Sequence, residues 1–225
     1  MTHWLPWIVG AYLLGSVPFG LLIARAKGID LRAQGSGNIG ATNVGRVLGK
    51  RLGITCFALD LAKGAAPVIA SGLTTHTFGH GALAARDSAL WMCVGLAAVL
   101  GHVFPIYLRF KGGKGVATAF GAMAAYWPWM TLATAAALLT WLVVVRTTRY
   151  VSAASITAAL VLPLAMLINQ LIAWPTGTDG ARNAAAGWPF LAMALALGAL
   201  VIWRHRGNLA RLRAGSEHKI GAKVR

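Results

Sequence analysis

Two stretches of this chain combine glycines with basic side chains in a pattern suited to holding phosphate: GSGNIGATNVGR at residues 35–46 and KGGKG at 111–115. Glycine lets successive backbone N–H groups converge on an anion, and a neighbouring lysine or arginine adds full positive charge. In the first stretch Gly35, Gly37 and Gly40 permit positive φ and close approach of backbone to a ligand. Ser36, Asn38, Thr42 and Asn43 supply neutral hydrogen-bonding groups there, and Arg46 a bidentate fork. The same glycines spell GxGxxG, yet nothing around them reads as the βαβ unit in which that dinucleotide fingerprint has mechanical meaning. In the second stretch Gly112, Gly113 and Gly115 surround Lys114. A helix beginning just after them would aim its N-terminal N–H groups and positive dipole end at the same anion. A third segment, RHRGNLARL, puts His205 and Asn208 three residues apart on one helical face, the histidine being a candidate general base or oxyanion donor.

Other reactive residues are less well placed. Cys56 and Cys93 fall inside apolar runs, neither positioned as a nucleophile, and no triad with a supporting carboxylate is visible. His76 and His80 are interrupted by Gly79 and read as a solvated loop. No metal-ligand cluster is apparent, so neither metal nor cofactor is expected.

The elements that must carry these loops follow from composition. With 57% hydrophobic and 12% charged residues, the 225-residue chain reads as one all-α polytopic membrane domain whose core forms between helices. About seven transmembrane helices are predicted, near 4–24, 53–73, 89–109, 114–127, 129–146, 151–173 and 187–204. The net charge of +16 would suit nucleic acid, but Lys and Arg gather on alternate loops, with only Arg86 and Arg182 in the other set. That asymmetry signals topology, with the N-terminus outside, the basic loops and C-terminus cytoplasmic, and no nucleic-acid partner. The outer loops, 74–88 and 174–186, are short and polar.

The count of seven rests on parity. KGGKG and RTTRY at 146–150 can both be cytoplasmic only if the chain crosses twice between them, turning at Trp127-Pro128-Trp129, where proline disfavours helix before it. A single long helix there, giving six spans, is the alternative. The first apolar run lacks a preceding basic residue and is too long for a signal peptide, so it is expected to be retained and kinked at Pro18.

Taken together, GSGNIGATNVGR, GHVFPIYLRFKGGKGVA, HRGNLARLRAGSEHKIG, ALDLAKG at 58–64 and RYVSAAS at 149–155 resemble the bacterial acyl-phosphate:glycerol-3-phosphate acyltransferase family of integral membrane enzymes. The resemblance runs in order through most of the chain. It implies acyl transfer from acyl phosphate to the 1-hydroxyl of glycerol 3-phosphate, giving lysophosphatidic acid and phosphate at the bacterial inner membrane. By motif position, Ser36, Arg46, Lys114, His205 and Asn208 would carry catalysis. Gly35, Gly37, Asn38, Gly40, Thr42, Asn43, Gly112, Gly113, Gly115 and Ser152 would hold phosphate. Asp60, Lys63 and Glu217 would be structural supports, the first two spaced to pair on one helix face. Substrates and membrane lipids are the implied partners, and no feature defines a protein partner. The competing class is a transporter of a phosphorylated metabolite, but the broken mid-membrane helices expected of one are not evident.

Overall fold

The computed structural model describes residues 3–80, 83–173 and 178–221, and within them the chain is helical, with no strand. The expected outer loop at 174–186 lies partly outside the described residues. α1 (Leu5–Gly15) and α2 (Phe19–Arg25) form one span interrupted at Ser16–Pro18, the break expected from Pro18. Pro18 adopts φ −91° and ψ 72°, outside the helical region, and Lys63 Nζ donates to the Val17 carbonyl at the break, at 2.7 Å. Lys63 also pairs with Asp60 Oδ1 one turn away at 2.8 Å. The break's exposed carbonyl thus gains a charged donor inside the bundle.

A loop then leads to α3 (Ala41–Leu48), and Gly49, at φ 94°, is the single residue between it and α4 (Lys50–Thr74). Only glycine adopts that angle without strain. α5 (Ala85–Val103) returns the chain, and a turn through Leu108 leads to the second glycine-rich loop. Then come α6 (Val116–Ala124), α7 (Thr131–Thr148), α8 (Val151–Ala173), α9 (Thr178–Arg204) and α10 (Arg206–Arg213).

Six segments among the described residues are long and apolar enough to cross a membrane: Leu5–Arg25, Lys50–Thr74, Ala85–Leu108, Thr131–Thr148, Val151–Ile172 and Gly187–Arg204. The crossing expected at 114–127 differs from these. It is the nine-residue α6, about 14 Å long at 1.5 Å per residue, roughly half the hydrocarbon thickness. It nevertheless leads from the glycine-rich loop to the far end of the bundle. There the Trp127 carbonyl accepts the Gly79 N–H at 3.1 Å and the Trp129 indole donates to the His80 carbonyl at 2.8 Å, both on the connection between α4 and α5.

Its length is tolerable because α6 faces protein. A Cβ on Gly64 would strike the Thr118 backbone and one on Gly121 the Leu61 backbone, so α4 and α6 touch main chain to main chain. Gly15 and Gly101 do the same for α1 and α5. Small residues are the means by which helices associate where no water drives them together. Away from the loops, Trp91, Tyr126, Trp129 and Phe190 form a buried aromatic cluster. The Tyr126 hydroxyl accepts the Gly95 N–H at 3.0 Å and donates to the Trp91 carbonyl at 3.1 Å.

Candidate active site

The first glycine-rich loop is shaped from within. Asp30 accepts the Arg32 N–H at 2.9 Å and starts a turn over Leu31–Ala33, after which Gly35 and Gly37 take φ values of 60° and 66°. Buried Asn43 reaches back from α3, accepting the Ser36 N–H at 2.9 Å and donating to the Gln34 and Leu31 carbonyls at 3.1 and 3.3 Å. A Cβ on Gly35 would collide with that carboxamide. Asn38 accepts the Gly40 N–H at 2.9 Å, and its own amide hydrogens have no partner among the described residues. Asn43, read from sequence as a phosphate group holder, has its side-chain hydrogen-bonding capacity committed to the loop. Ser36, Asn38, Thr42, Asn43 and Arg46 all line the pocket, with the first turn of α3 beside them.

The second loop meets α5 and α6. The Gly113 N–H donates to the His102 carbonyl at 3.1 Å, and a Cβ on Gly112 or Gly113 would run into His102. Gly115, at φ 80°, turns the chain into α6, whose start at Val116 is where the sequence placed it. Gly37, Gly112 and Gly113 stand behind the pocket surface, whereas Lys114 and Gly115 line it.

The third contribution comes from the junction of α9 and α10 and from the tail beyond. His205 is buried, its Nδ1 lying 2.8 Å from the Val201 carbonyl. That contact assigns the proton to Nδ1 and leaves Nε2 as an acceptor. Burial, reinforced by the Lys114 charge, pushes the imidazole down to about 4, so it is neutral near pH 7. Lys114 Nζ donates to Asn208 Oδ1, and Asn208 Nδ2 donates to Glu217 Oε1 at 2.6 Å. Ser152 Oγ donates to the same oxygen at 2.7 Å, and Arg211 Nε pairs with Glu217 Oε2 at 2.8 Å. Burial works against the charged carboxylate, but the Asn208, Ser152 and Arg211 bonds win and hold Glu217 below its ordinary value.

These three segments, distant along the chain, line one pocket of roughly 520 Å³. Ser36, Thr42 and Arg46 meet Lys114, Ser152 and His205 around it, with Asp60 and His102 also in its wall. Burial drives Lys114 down to about 8; Glu217 opposes this, and Arg211, Arg204 and Arg46 add to it. An anion entering the pocket would relieve that crowding of positive charge. Arg204, Arg211 and His102 were not singled out from the sequence, although RHRGNLARL contains both arginines. The break at His205 that turns Arg204 of α9 and Arg211 of α10 toward one pocket has no signature in the sequence.

Beside this polar pocket lies an apolar cleft between α6, α7, α8 and α9, lined by Phe120, Met123, Leu162 and Leu197 among others. The two share Val116 and Ser155, so polar and apolar spaces adjoin.

A bundle of membrane-spanning helices with a cationic, glycine-looped pocket at one end, opening beside an apolar cleft, defines an integral membrane protein built to hold an amphiphilic anion. The chain belongs to the glycerol-3-phosphate acyltransferase family, whose profile matches residues 5–215. It is 44% identical over 214 residues to the glycerol-3-phosphate acyltransferase of Aquifex aeolicus (strain VF5), covering 94% of this chain and 96% of that one. It is 43% identical over 220 residues to the Geotalea daltonii enzyme of the same name, with 97% and 98% covered. Among solved structures it resembles PlsY (YgiH), an integral membrane glycerol 3-phosphate acyltransferase, in its glycerol 3-phosphate form. The TM-score is 0.79 and the identity 40%, over 97% of this chain and 96% of that one. The lysophosphatidic acid form of the same protein gives a TM-score of 0.77 at 39% identity over the same shares.

Proposed function

We propose that this protein, acting as one catalytic domain, transfers an acyl group from acyl phosphate to the 1-hydroxyl of glycerol 3-phosphate, forming lysophosphatidic acid and phosphate. The observation that carries the reading is the adjacency of a pocket walled by two glycine-rich cationic loops and an apolar cleft sharing Val116 and Ser155 with it. Both substrates bear phosphate, which the polar pocket suits, and one bears a hydrocarbon tail, for which the narrow apolar cleft of about 40 Å³ offers an entry between helices rather than a formed chamber. Family membership and the glycerol 3-phosphate and lysophosphatidic acid forms of the related PlsY support the same assignment.

In this reading Arg46 and Lys114 bind phosphate oxygens, with Ser36, Thr42, Ser152 and the glycine-loop amides adding neutral donors. The glycerol hydroxyl oxygen attacks the acyl carbonyl carbon, the carbonyl becomes an oxyanion, and its collapse breaks the bond to the phosphate oxygen. Acyl phosphate is already activated, so no covalent enzyme intermediate is needed. Asn208 and backbone amides stabilise the oxyanion. Neutral His205 accepts a hydrogen bond from the hydroxyl through Nε2 and orients it. A histidine pushed down to about 4 holds a proton poorly, so the proton leaves with phosphate. Asp60, Lys63 and Glu217 hold the walls in place.

The concentration of Lys and Arg on alternate loops supports a pocket open to the cytoplasm, with the bacterial inner membrane as location. Purified protein in detergent, given acyl phosphate and glycerol 3-phosphate, should produce lysophosphatidic acid without any second compartment. Failure to do so, with glycerol 3-phosphate moving across vesicles instead, would replace the enzyme with a transporter.

A further inference from the structure

Arg204 stands at the end of α9, next to His205, and its role is set by what it holds. Its Nη2 donates to the Gly113 carbonyl at 3.0 Å and to the Gly112 carbonyl at 3.2 Å. The guanidinium lies 5.5 Å from the Trp203 ring centroid and 6.0 Å from that of Phe104, which keeps its plane from turning. Its Nε is buried with no partner among the described residues, and there the two loop carbonyls are the acceptors that fix it.

A trans peptide points its N–H away from its C=O, so whatever fixes one fixes the other. The peptide between Gly112 and Gly113 is pinned at both ends, its oxygen by Arg204 and its N–H by the His102 carbonyl. The next peptide is pinned at one end only. The Gly113 oxygen is held by Arg204, while the Lys114 N–H on the opposite side has no hydrogen-bond partner among the described residues, and Lys114 and Gly115 line the pocket. Glycine offers little steric resistance to peptide rotation. Released, the Gly113 oxygen would be free to swing toward the pocket cations, presenting a negative dipole where phosphate must sit, while the Gly112 peptide stays held through the Gly113 N–H.

We propose that Arg204 is a positioning residue that locks the second glycine-rich loop in the orientation that offers its amides to a substrate phosphate. The proposal rests on the phosphate-binding reading of the pocket. It assigns to Arg204 a hold on the loop rather than a charge for the ligand.

Three replacements separate the two roles. Arg204→Met removes both charge and donors, Arg204→Gln keeps a neutral donor, and Arg204→Lys keeps a charged one. The lock predicts that Arg204→Met raises KM for one of the two phosphate-bearing substrates at least tenfold while kcat changes less than threefold. It also predicts that Arg204→Gln recovers at least a third of that loss. Equal impairment of the Gln and Met variants beside a fully active Lys variant would make charge the whole explanation and overturn the lock, as would unchanged KM values in Arg204→Met. Amide exchange supplies a readout that needs neither acyl donor nor turnover. Inorganic phosphate added to the unaltered protein should slow exchange at Lys114 and Gly115 at least threefold, and Arg204→Met should speed it without phosphate. Unprotected amides at saturating phosphate would defeat the proposal even if the variants failed to fold. An unaltered protein that protects these amides yet makes no lysophosphatidic acid would instead refute the acyl-transfer reading and leave the lock standing.

Discussion

Lys114 is the residue whose environment most directly predicts behaviour. Held down to about 8 by burial and by three neighbouring arginines, it loses its proton as pH rises through that value in the free protein. Phosphate binding favours the charged form and moves the titration upward. The expected result is that kcat/KM falls above about pH 8 while kcat falls only at a higher pH, and profiles over pH 6–10 measure both. His205, held down to about 4, adds no acidic limb near neutrality, so His205→Ala should lower the rate without reshaping the profile between pH 6 and 8. A changed profile there would restore the histidine as an essential base. Asn43 makes a different kind of prediction. Its three hydrogen bonds to the first loop each contribute about 1 kcal/mol net, so Asn43→Ala should cost about 2–3 kcal/mol and abolish activity through loop collapse. Thermal unfolding in detergent reads the first effect and turnover the second. That Ser36, Arg46, Lys114, His205 and Asn208 would gather at one site was legible from residue type and motif position, and all five line the pocket. The commitment of Asn43 to the backbone was not, because a carboxamide that holds a loop and one that holds a ligand look alike in a sequence. Arg204 and Arg211 were hidden for a related reason, since cations at the end of a membrane helix ordinarily report orientation.

At the scale of elements, the apolar runs and the Pro18 break were readable because each is a local rule: a length of hydrocarbon to cross, a missing N–H. The form of α6 was not, since nothing in VATAFGAMA says that its surroundings are protein rather than lipid. That distinction lies in the pairing of Gly121 with the Leu61 backbone and of Gly64, on α4, with the Thr118 backbone. Gly121→Ala sets a methyl against the Leu61 backbone, which has no side chain to swing aside. It should destabilise by about 1–3 kcal/mol, as overpacked cores do. Gly10→Ala, in the middle of α1 with nothing within 4 Å of the added carbon, should leave stability unchanged or raise it by up to about 1 kcal/mol. Comparable unfolding temperatures for the two variants would mean that α4 and α6 are not packed backbone to backbone. Both helices contribute to the pocket, through Asp60 and Val116, so the first variant should also lower activity beyond its loss of folded protein.

For the whole molecule, the orientation proposed from basic loops has a direct chemical test. With Cys56 and Cys93 replaced, His76→Cys marks the far end of the bundle and Ser216→Cys the pocket end, both exposed positions. An impermeant thiol reagent applied to intact cells stripped of their outer envelope should label residue 76 and spare residue 216. Inverted vesicles should give the reverse, and the opposite pattern would turn the pocket to the outside. The seam at Val116 and Ser155, where the charged pocket runs into the oily cleft, carries a kinetic corollary. One reactant arrives through three-dimensional solution, while the tailed donor and the single-tailed product travel in the plane of the bilayer. Turnover should therefore follow the mole fraction of donor in the lipid phase rather than its amount per litre. Adding inert detergent at constant bulk concentrations should slow the reaction, because it thins the crowd in two dimensions.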